Sequence, residues 1–86
     1  ALTAAFAAEP SAFVRAELVP ALARWDPARA LEPLRAALVD GDAHVRASAA
    51  RALGDLEPEF PVAATLRRAW ESEPNPLVRS ALLEAL

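Results

Sequence analysis

His44 and the carboxylates near it are the residues of this chain whose types could do chemistry. A histidine with neighbouring acids can bind a metal ion or act as a general base, provided that further ligands or a nucleophile lie nearby. His44 is the only histidine in the sequence, which also lacks cysteine. The carboxylates Asp40, Asp42 and Glu57 do not have the spacing of a calcium-binding loop. The sequence therefore predicts no catalytic, metal or cofactor site, and we expect a protein that is not an enzyme.

The other residues with chemical potential also lack the partners that a site needs. Ser48 is not in a G-x-S-x-G setting, and the sequence has no glycine-rich phosphate loop. Arg67 and Arg68 form the only adjacent basic pair, which an exposed helix surface explains. The formal net charge of −3 argues against a general phosphate-binding surface. Nucleic-acid binding is therefore not the expected function and is kept only as a third alternative.

The composition indicates one small, helix-rich domain. Hydrophobic residues make up 55% of the 86 residues, with two glycines and no Tyr, Cys or Met. No apolar run approaches the roughly 20 residues that a membrane-spanning helix needs, so we expect no membrane partner. The first residues lack the pattern of a secretory signal peptide. The sequence does not identify a compartment, and the cytoplasm is the favoured expectation.

Apolar residues recur at three- and four-residue spacing and predict a series of helices, so the predicted fold class is all-α. Pro20 and Pro33 are expected to bend one helix and to make the first turn of the next irregular. Gly54 is expected to end a helix in the left-handed conformation. The predicted helices cover about 1–8, 11–25, 26–39, 42–54, 62–72 and 75–86, with a proline-rich linker at 57–61. The expected buried stripes are Val14, Leu18, Ala21, Leu22 and Trp25; Leu31, Leu34 and Leu38; Val45, Ala49, Ala52, Leu53 and Leu56; Val62, Leu66, Ala69 and Trp70; and Val78, Leu82, Ala85 and Leu86.

Three corners of the chain share one arrangement of residues, which identifies an internal repeat. The dipeptide Val-Arg ends at Arg15, Arg46 and Arg79, at offsets of 31 and 33 residues. An N-cap residue type stands four positions before each arginine, and an acid stands six positions before it. The corner residues are Glu9, Ser11 and Arg15; Asp40, Asp42 and Arg46; and Glu73, Asn75 and Arg79. Within a single domain, the repeat units are expected at about 1–25, 26–56 and 57–86.

This repeat resembles the HEAT repeat family. The resemblance rests on the period, on two helices per unit and on the turn Asp-x-Asp-x-x-Val-Arg, and the segment Asp26–Leu56 carries it most fully. Its form is similar to the short HEAT-like repeats that also occur in phycobilin lyases. The resemblance implies a right-handed α-solenoid of antiparallel helix pairs with about two and a half repeats. It also implies that corner acids and arginines pair, within a repeat or with its neighbour, as a structural ladder.

The concave face made by the second helix of each unit is the candidate binding surface. Helical position places on it, outside the core stripes, the residues Phe13, Glu17, His44, Ser48, Arg51, Leu77, Ala81 and Glu84. Apolar side chains next to mixed charges suit a protein or peptide partner better than a polyanion. The alternative is that these residues are solvated and bind nothing.

The leading functional prediction is a non-catalytic protein–protein interaction scaffold, expected to be one segment of a longer protein. An alternative from another class is an accessory segment of an enzyme, such as a bilin lyase or a multidomain redox protein. The helical pattern of residues 1–8 lacks a beginning, and the last pattern is still running at Leu86. We therefore expect incompletely covered apolar residues at both ends (Leu2, Phe6, Leu82 and Leu86), and self-association through them.

Overall fold

The computed structural model describes residues 9–25, 27–56 and 62–86, and all regular secondary structure in these ranges is α-helical. Predictions that concern residues 1–8, Asp26, residues 57–61 or the side chain of Trp25 lie outside the described residues. The helices are α1 (Ala12–Trp25), α2 (Pro27–Ala37), α3 (Ala43–Gly54), α4 (Ala63–Ser72) and α5 (Pro76–Ala85).

Helix α3 lies at the centre of the fold. It packs against both α1 and α5, whereas α2 packs against α1 and α3, and α4 packs against α5. Helices α1, α3 and α5 therefore form an inner layer, and α2 and α4 form an outer layer. The Cα atoms extend over 31 × 29 × 15 Å. The shortest dimension fits two layers of helices whose axes lie about 8–10 Å apart. The predicted all-α solenoid of helix pairs is confirmed.

The core follows the predicted stripes in α3 and α5 and departs from them in α1. Val45, Leu53 and Leu82 are fully buried, as the spacing predicts. In α1 the fully buried residue is Val19, and Val14, which was expected in the core, is 38% exposed. A valine is buried only where a neighbouring helix covers its face, and the amino-acid type does not specify that neighbour. Leu86 lies on the predicted stripe of α5 but is 56% exposed, in agreement with the expectation that it is incompletely covered. Leu82 is fully buried, so the same expectation for Leu82 is wrong.

The two internal prolines do not interrupt their helices. Pro20 lies inside α1 and Pro33 inside α2, and both helices are continuous. The expected irregular first turn of the helix that contains Pro33 is therefore wrong. Proline removes one hydrogen bond, and Pro20 lies on an exposed side of its helix where water can reach the freed carbonyl group.

Gly54 lies at a close contact between two helices and does not end α3 in the left-handed conformation. No glycine among the described residues has a positive φ, so the expected left-handed end of α3 is wrong. A Cβ added at Gly54 would lie 2.6 Å from the Cβ of Ala85 and 2.9 Å from its Cα. A glycine is needed here because α3 and α5 approach each other too closely for any side chain.

Candidate functional site

The corner before α3 is closed by its own acid, cap and arginine. A carboxylate oxygen of Asp40 accepts a hydrogen bond from the backbone N–H of Asp42 at 2.9 Å. The guanidinium of Arg46 donates back to the carbonyl oxygen of Asp40 at 2.7 Å. Asp42 in turn caps α3, because its Oδ1 accepts from the N–H groups of His44 and Val45 at 2.8 and 3.3 Å. The turn and the helix start are therefore fixed together.

The other two corners repeat this arrangement. Before α5, Glu73 accepts from the N–H of Asn75 at 2.9 Å, and Arg79 donates to the carbonyl oxygen of Glu73 at 3.0 Å. Before α1, Glu9 accepts from the N–H of Ser11 at 2.9 Å, and Arg15 donates to the carbonyl oxygen of Glu9 at 3.2 Å. Each arginine thus binds the backbone, and not the carboxylate, of its own corner acid.

The carboxylate of each acid is instead bound by the arginine of the preceding repeat. Arg15 donates to both carboxylate oxygens of Asp40, from Nε at 3.0 Å and from Nη2 at 3.1 Å. Arg46 likewise donates to both carboxylate oxygens of Glu73, from Nε at 2.8 Å and from Nη2 at 3.3 Å. We call these two interactions rungs. A bidentate arginine–carboxylate pair fixes both distance and orientation, so each rung sets the register between successive repeats.

The second rung is the more enclosed. The side chain of Glu73 is only 6% exposed and that of Arg46 is 18% exposed. Glu73 is the one charged residue that is buried as a whole among the described residues. A buried carboxylate is tolerated because it is paired and hydrogen-bonded, and removal of its partner would leave a costly unpaired charge.

The first rung lowers the pKa of its acid. Burial on its own would raise the pKa of Asp40, but the hydrogen bonds from Arg15 and from the N–H of Asp42 outweigh burial and hold the pKa below its usual value. The hydrogen bond with Asp40 likewise raises the pKa of Arg15. Both groups are therefore charged at neutral pH.

Arg79 has a different partner from the two other corner arginines. Its guanidinium lies over the ring of Trp70, 3.9 Å from the ring centroid, and also donates to the carbonyl oxygen of Trp70 at 3.3 Å. No carboxylate of the described residues binds it. Trp70, predicted only to pack in the core, is half-buried and holds this arginine. The sequence does not predict this contact, because a tryptophan that packs only in the core and one that also stacks on an arginine have the same spacing on the apolar stripe.

The predicted concave face corresponds to the solvent side of the inner layer, and equivalent positions of the three repeats form rows across it. The first row is apolar at its ends: Phe13 is 73% exposed, His44 is exposed and Leu77 is 40% exposed. The second row consists of Glu17, Ser48 and Ala81, and the third of Pro20, Arg51 and Glu84. Ala81 is fully buried, so its prediction as a surface residue is wrong.

A groove of about 590 Å³ separates α1 from α3 on this face. Two arginines, Arg24 and Arg51, line it together with Asp55. Arg24 and Asp55 were not predicted as residues of this face. They lie seven residues after Glu17 and Ser48, a spacing that continues the same helical face and could have identified them. The apolar and small lining residues are Pro20, Ala23, Ser48, Ala52 and Leu56.

A smaller groove of about 340 Å³ lies next to it, between α3 and α5. Arg51 and Asp55 border both grooves, and Glu84 adds a second carboxylate here. Of the predicted face, the structure brings Ser48, Arg51 and Glu84 to groove walls. Phe13, His44 and Leu77 lie at the opposite, N-terminal ends of the inner helices.

A third groove lies on the outer layer between α2 and α4, also with a volume of about 590 Å³. Arg35 and Arg68 border it, and Val39, which is 82% exposed, lies at its edge. Arg35 also pairs with Glu32 at 2.7 Å. This outer groove is the main competitor of the inner face as a binding surface.

The described residues contain no group of histidines and acids that could hold a metal ion. None of their helices is long and apolar enough to cross a membrane. His44 lies 3.7 Å from the carboxylate of Asp42, which is already the cap of α3.

The repeated corners and the two-layer helix stack lead to the comparison with known families. A family model described as HEAT repeats matches residues 1–86, which is the whole chain. The chain belongs to the HEAT repeat family. HEAT repeats generally mediate protein–protein interactions and are typically non-catalytic. No curated protein and no solved structure shows significant similarity to this HEAT repeat chain.

Proposed function

We propose that this HEAT repeat chain is a protein-binding scaffold that holds a peptide segment of its partner on the inner face. The observation that carries the proposal is the groove between α1 and α3, which has a volume of about 590 Å³. Arg51 lines both this groove and the adjoining one between α3 and α5. Two connected grooves across three parallel elements form the extended type of surface on which repeat proteins bind peptides.

The charge of the inner face favours a peptide over a nucleic acid. Among the described residues of that face, two cations, Arg24 and Arg51, stand beside three acids, Glu17, Asp55 and Glu84. Binding to a phosphate backbone needs a surplus of cations, because each phosphate contact neutralises one charge. A segment with charges of both signs and an apolar anchor complements this surface better.

The anchor would bind at the N-terminal ends of the inner helices. Phe13 and Leu77 are large apolar residues that remain exposed there, on either side of His44. Exposed aromatic side chains carry much of the binding energy in protein interfaces. The proposed partner segment therefore runs across the helices and contacts both the apolar row and the charged grooves.

A display library of random peptides, selected on the wild-type chain, tests this proposal. The affinities of the selected peptides are then measured for wild type, Phe13→Ala, Arg51→Glu and Arg68→Glu. Arg68→Glu is the matched control because it makes the same charge change on the outer groove. We expect Arg51→Glu and Phe13→Ala to weaken binding about tenfold or more, and Arg68→Glu to leave it unchanged.

Two results would contradict the proposal. The first is that the library yields no binder, or only binders that the inner-face variants bind as tightly as wild type. The second is that Arg68→Glu alone weakens binding, which would place the peptide on the outer groove. A parallel titration with duplex DNA at low salt should show no binding. Binding that Arg51→Glu abolishes would assign the face to nucleic acid.

A further inference from the structure

The charged side chains that border the two grooves of the inner face are arranged by sign. Repeat equivalence places Arg24 of α1 beside Asp55 of α3, and it places Arg51 of α3 beside Glu84 of α5, one helical turn nearer the N-terminal ends. Arg24 and Arg51 therefore border the groove between α1 and α3 from its two sides. Asp55 and Glu84 border the groove between α3 and α5 in the same diagonal way. Among the described residues, the first groove has a surplus of positive charge and the second a surplus of negative charge.

The four charged side chains are exposed and are not used to hold the fold together. The ion pairs of the described residues involve other side chains, such as Arg15 with Asp40 and Arg46 with Glu73. Arg51 and Asp55 are four residues apart on one helix, a spacing at which opposite charges can pair, and they form no ion pair in the structure. These charges are therefore accessible to a ligand.

The two grooves suit ligand groups of opposite charge. A carboxylate between two guanidinium groups can accept charge-assisted hydrogen bonds from both of them. An ammonium or guanidinium group between two carboxylates is attracted to both in the same way. Because like charges that border one groove repel each other, an opposite charge bound between them also relieves that repulsion.

We propose that the peptide segment bound on the inner face has an acidic side chain between Arg24 and Arg51 and a lysine or arginine side chain between Asp55 and Glu84. This inference rests on the proposed function and adds the charge pattern of the partner. A polyanion would meet the two carboxylates of the second groove, and a polycation would meet the two arginines of the first. A segment that carries one charge of each sign complements both grooves at once.

The separation of the grooves sets the spacing of the two charges in the partner. Neighbouring packed helices lie about 8–10 Å apart, so the centres of the two grooves are separated by a similar distance. An extended segment advances about 3.3 Å per residue. The acid and the base should therefore stand about two or three positions apart. Their order along the partner depends on the direction in which it crosses the helices.

The sequences of peptides selected from a random display library provide the first test. Selection is performed in parallel on the wild-type chain and on the double variant Arg24→Gln/Glu84→Gln. We expect peptides from the wild type to contain an acid and a base at the predicted spacing more often than the unselected library. Peptides from the double variant, which lacks one charge in each groove, should show less of this enrichment.

A double-mutant cycle between chain and peptide assigns each charge to its groove. One selected peptide with the charge pair is synthesised in three forms: unchanged, with glutamine in place of its acid, and with glutamine in place of its base. Arg24→Gln should weaken binding of the unchanged peptide about fivefold and have no effect on the form without the acid. Glu84→Gln should likewise weaken binding only of the forms that contain the base.

Two matched variants control for the change in net charge. Arg68→Gln and Glu71→Gln remove the same charges from the outer helix α4, and both side chains are exposed. Neither should change the affinity of any of the three peptides. Circular dichroism on every variant verifies that the helices are retained.

The outcomes distinguish this inference from the proposed function. Peptides that depend on Phe13 but contain no charge pair would overturn the inference and leave the inner face as the binding surface. Additive effects of the chain and peptide changes, or coupling of the acid to Glu84 and of the base to Arg24, would do the same. Failure to select any peptide that depends on the inner face would overturn both.

Discussion

The corner before α3 and the corner before α5 are built alike but connected differently. In both, the acid accepts from the backbone N–H two residues later, and the arginine donates to the carbonyl oxygen of the acid. Arg46, from the first corner, continues to the buried carboxylate of Glu73. Arg79, from the second, stacks on Trp70 and reaches no carboxylate of the described residues. The bonds within each corner are therefore the same. The contact that the arginine makes outside its corner differs, because it depends on which side chain the neighbouring structure places beside the arginine.

The comparison of Arg46 with Arg79 distinguishes two roles of the corner arginine. The bond with the corner carbonyl closes the turn and needs only residues within the corner. The bond with the following acid transmits position from one repeat to the next, over 27 residues in the case of Arg46 and Glu73. A change that affects only the first role should cost the same in both corners, whereas one that affects the second should cost more at the filled rung.

Removal of the corner acid should distinguish the corner before α5, whose acid lies in a rung, most strongly from the corner before α1, whose acid binds no arginine side chain of the described residues. Glu73→Ala leaves Arg46 half-buried without its carboxylate and the N–H of Asn75 without an acceptor, so we expect the free energy of unfolding to fall by about 2–3 kcal/mol. Within the part of the chain that the structure describes, Glu9→Ala loses only the bond with the N–H of Ser11 and should cost about 0.5 kcal/mol. Urea denaturation of both variants measures this. Equal losses would show that the rung adds nothing to the turn.

The close contact between the C-terminal ends of α3 and α5 predicts the next largest effect. Gly54→Ala places a Cβ against Ala85, and overpacking of this kind costs about 1–3 kcal/mol, against which the higher helix propensity of alanine recovers less than about 1 kcal/mol. We expect a thermal melt to show a net loss that Gly54→Ala/Ala85→Gly restores only in part, because the added Cβ still lies 2.9 Å from the Cα of residue 85. Retained stability in the single variant would mean that α3 and α5 can separate without cost.

Replacement of Gly41 by proline would give the corner before α3 the residue that the two other corners have at the same position. Pro10 and Pro74 stand at the equivalent position of their corners, and the N–H of Gly41 makes no hydrogen bond with a described residue. Because φ is not positive at Gly41, Gly41→Pro should raise the free energy of unfolding by about 0.5 kcal/mol through loss of entropy in the unfolded chain. Gly41→Ala is the control, since a Cβ there meets no atom within 4 Å. A fall in stability for Gly41→Pro alone would show that the corners differ in backbone conformation.

The smallest expected effect concerns pH and the first rung. The pKa of Asp40 is lower in the folded chain than its usual value of 3.8, so this group stabilises the fold above about pH 4. That contribution is lost as the pH falls through the folded pKa. The free energy of unfolding should therefore drop more steeply below about pH 4 in wild type than in Asp40→Asn. Parallel pH curves for the two proteins would contradict a role for the charge of Asp40.

The sequence predicted the corners better than their connections. Equal spacing in three copies located Asp40, Asp42 and Arg46 and their equivalents, because corner bonds are local. The resemblance to HEAT repeats left open whether each arginine pairs with the acid of its own repeat or of a neighbour. Arg46 binds the carboxylate of the following repeat, because the partner is fixed by how repeats stack. Val14 and Val45 have the same local pattern and opposite burial for the same reason.

The function was predicted only as far as the fold allows. The HEAT repeat family and its general use in protein interaction follow from the repeat, whereas the partner depends on side chains that the repeat does not constrain. Arg24 and Asp55 were missed on the inner face, and Ala81 was placed there although it is buried. The repeat boundaries and the role as an accessory segment of an enzyme stay predictions.

The ladder as a link between repeats is tested most directly by a double-mutant cycle of Arg46→Leu and Glu73→Gln, measured by urea denaturation. We expect a coupling energy of about 1–3 kcal/mol, because the two changes remove one shared interaction. The same cycle with Arg79→Leu in place of Arg46→Leu should give a coupling near zero, since Arg79 binds the backbone oxygen of Glu73 and not its carboxylate. Additive effects of Arg46→Leu and Glu73→Gln would contradict the ladder.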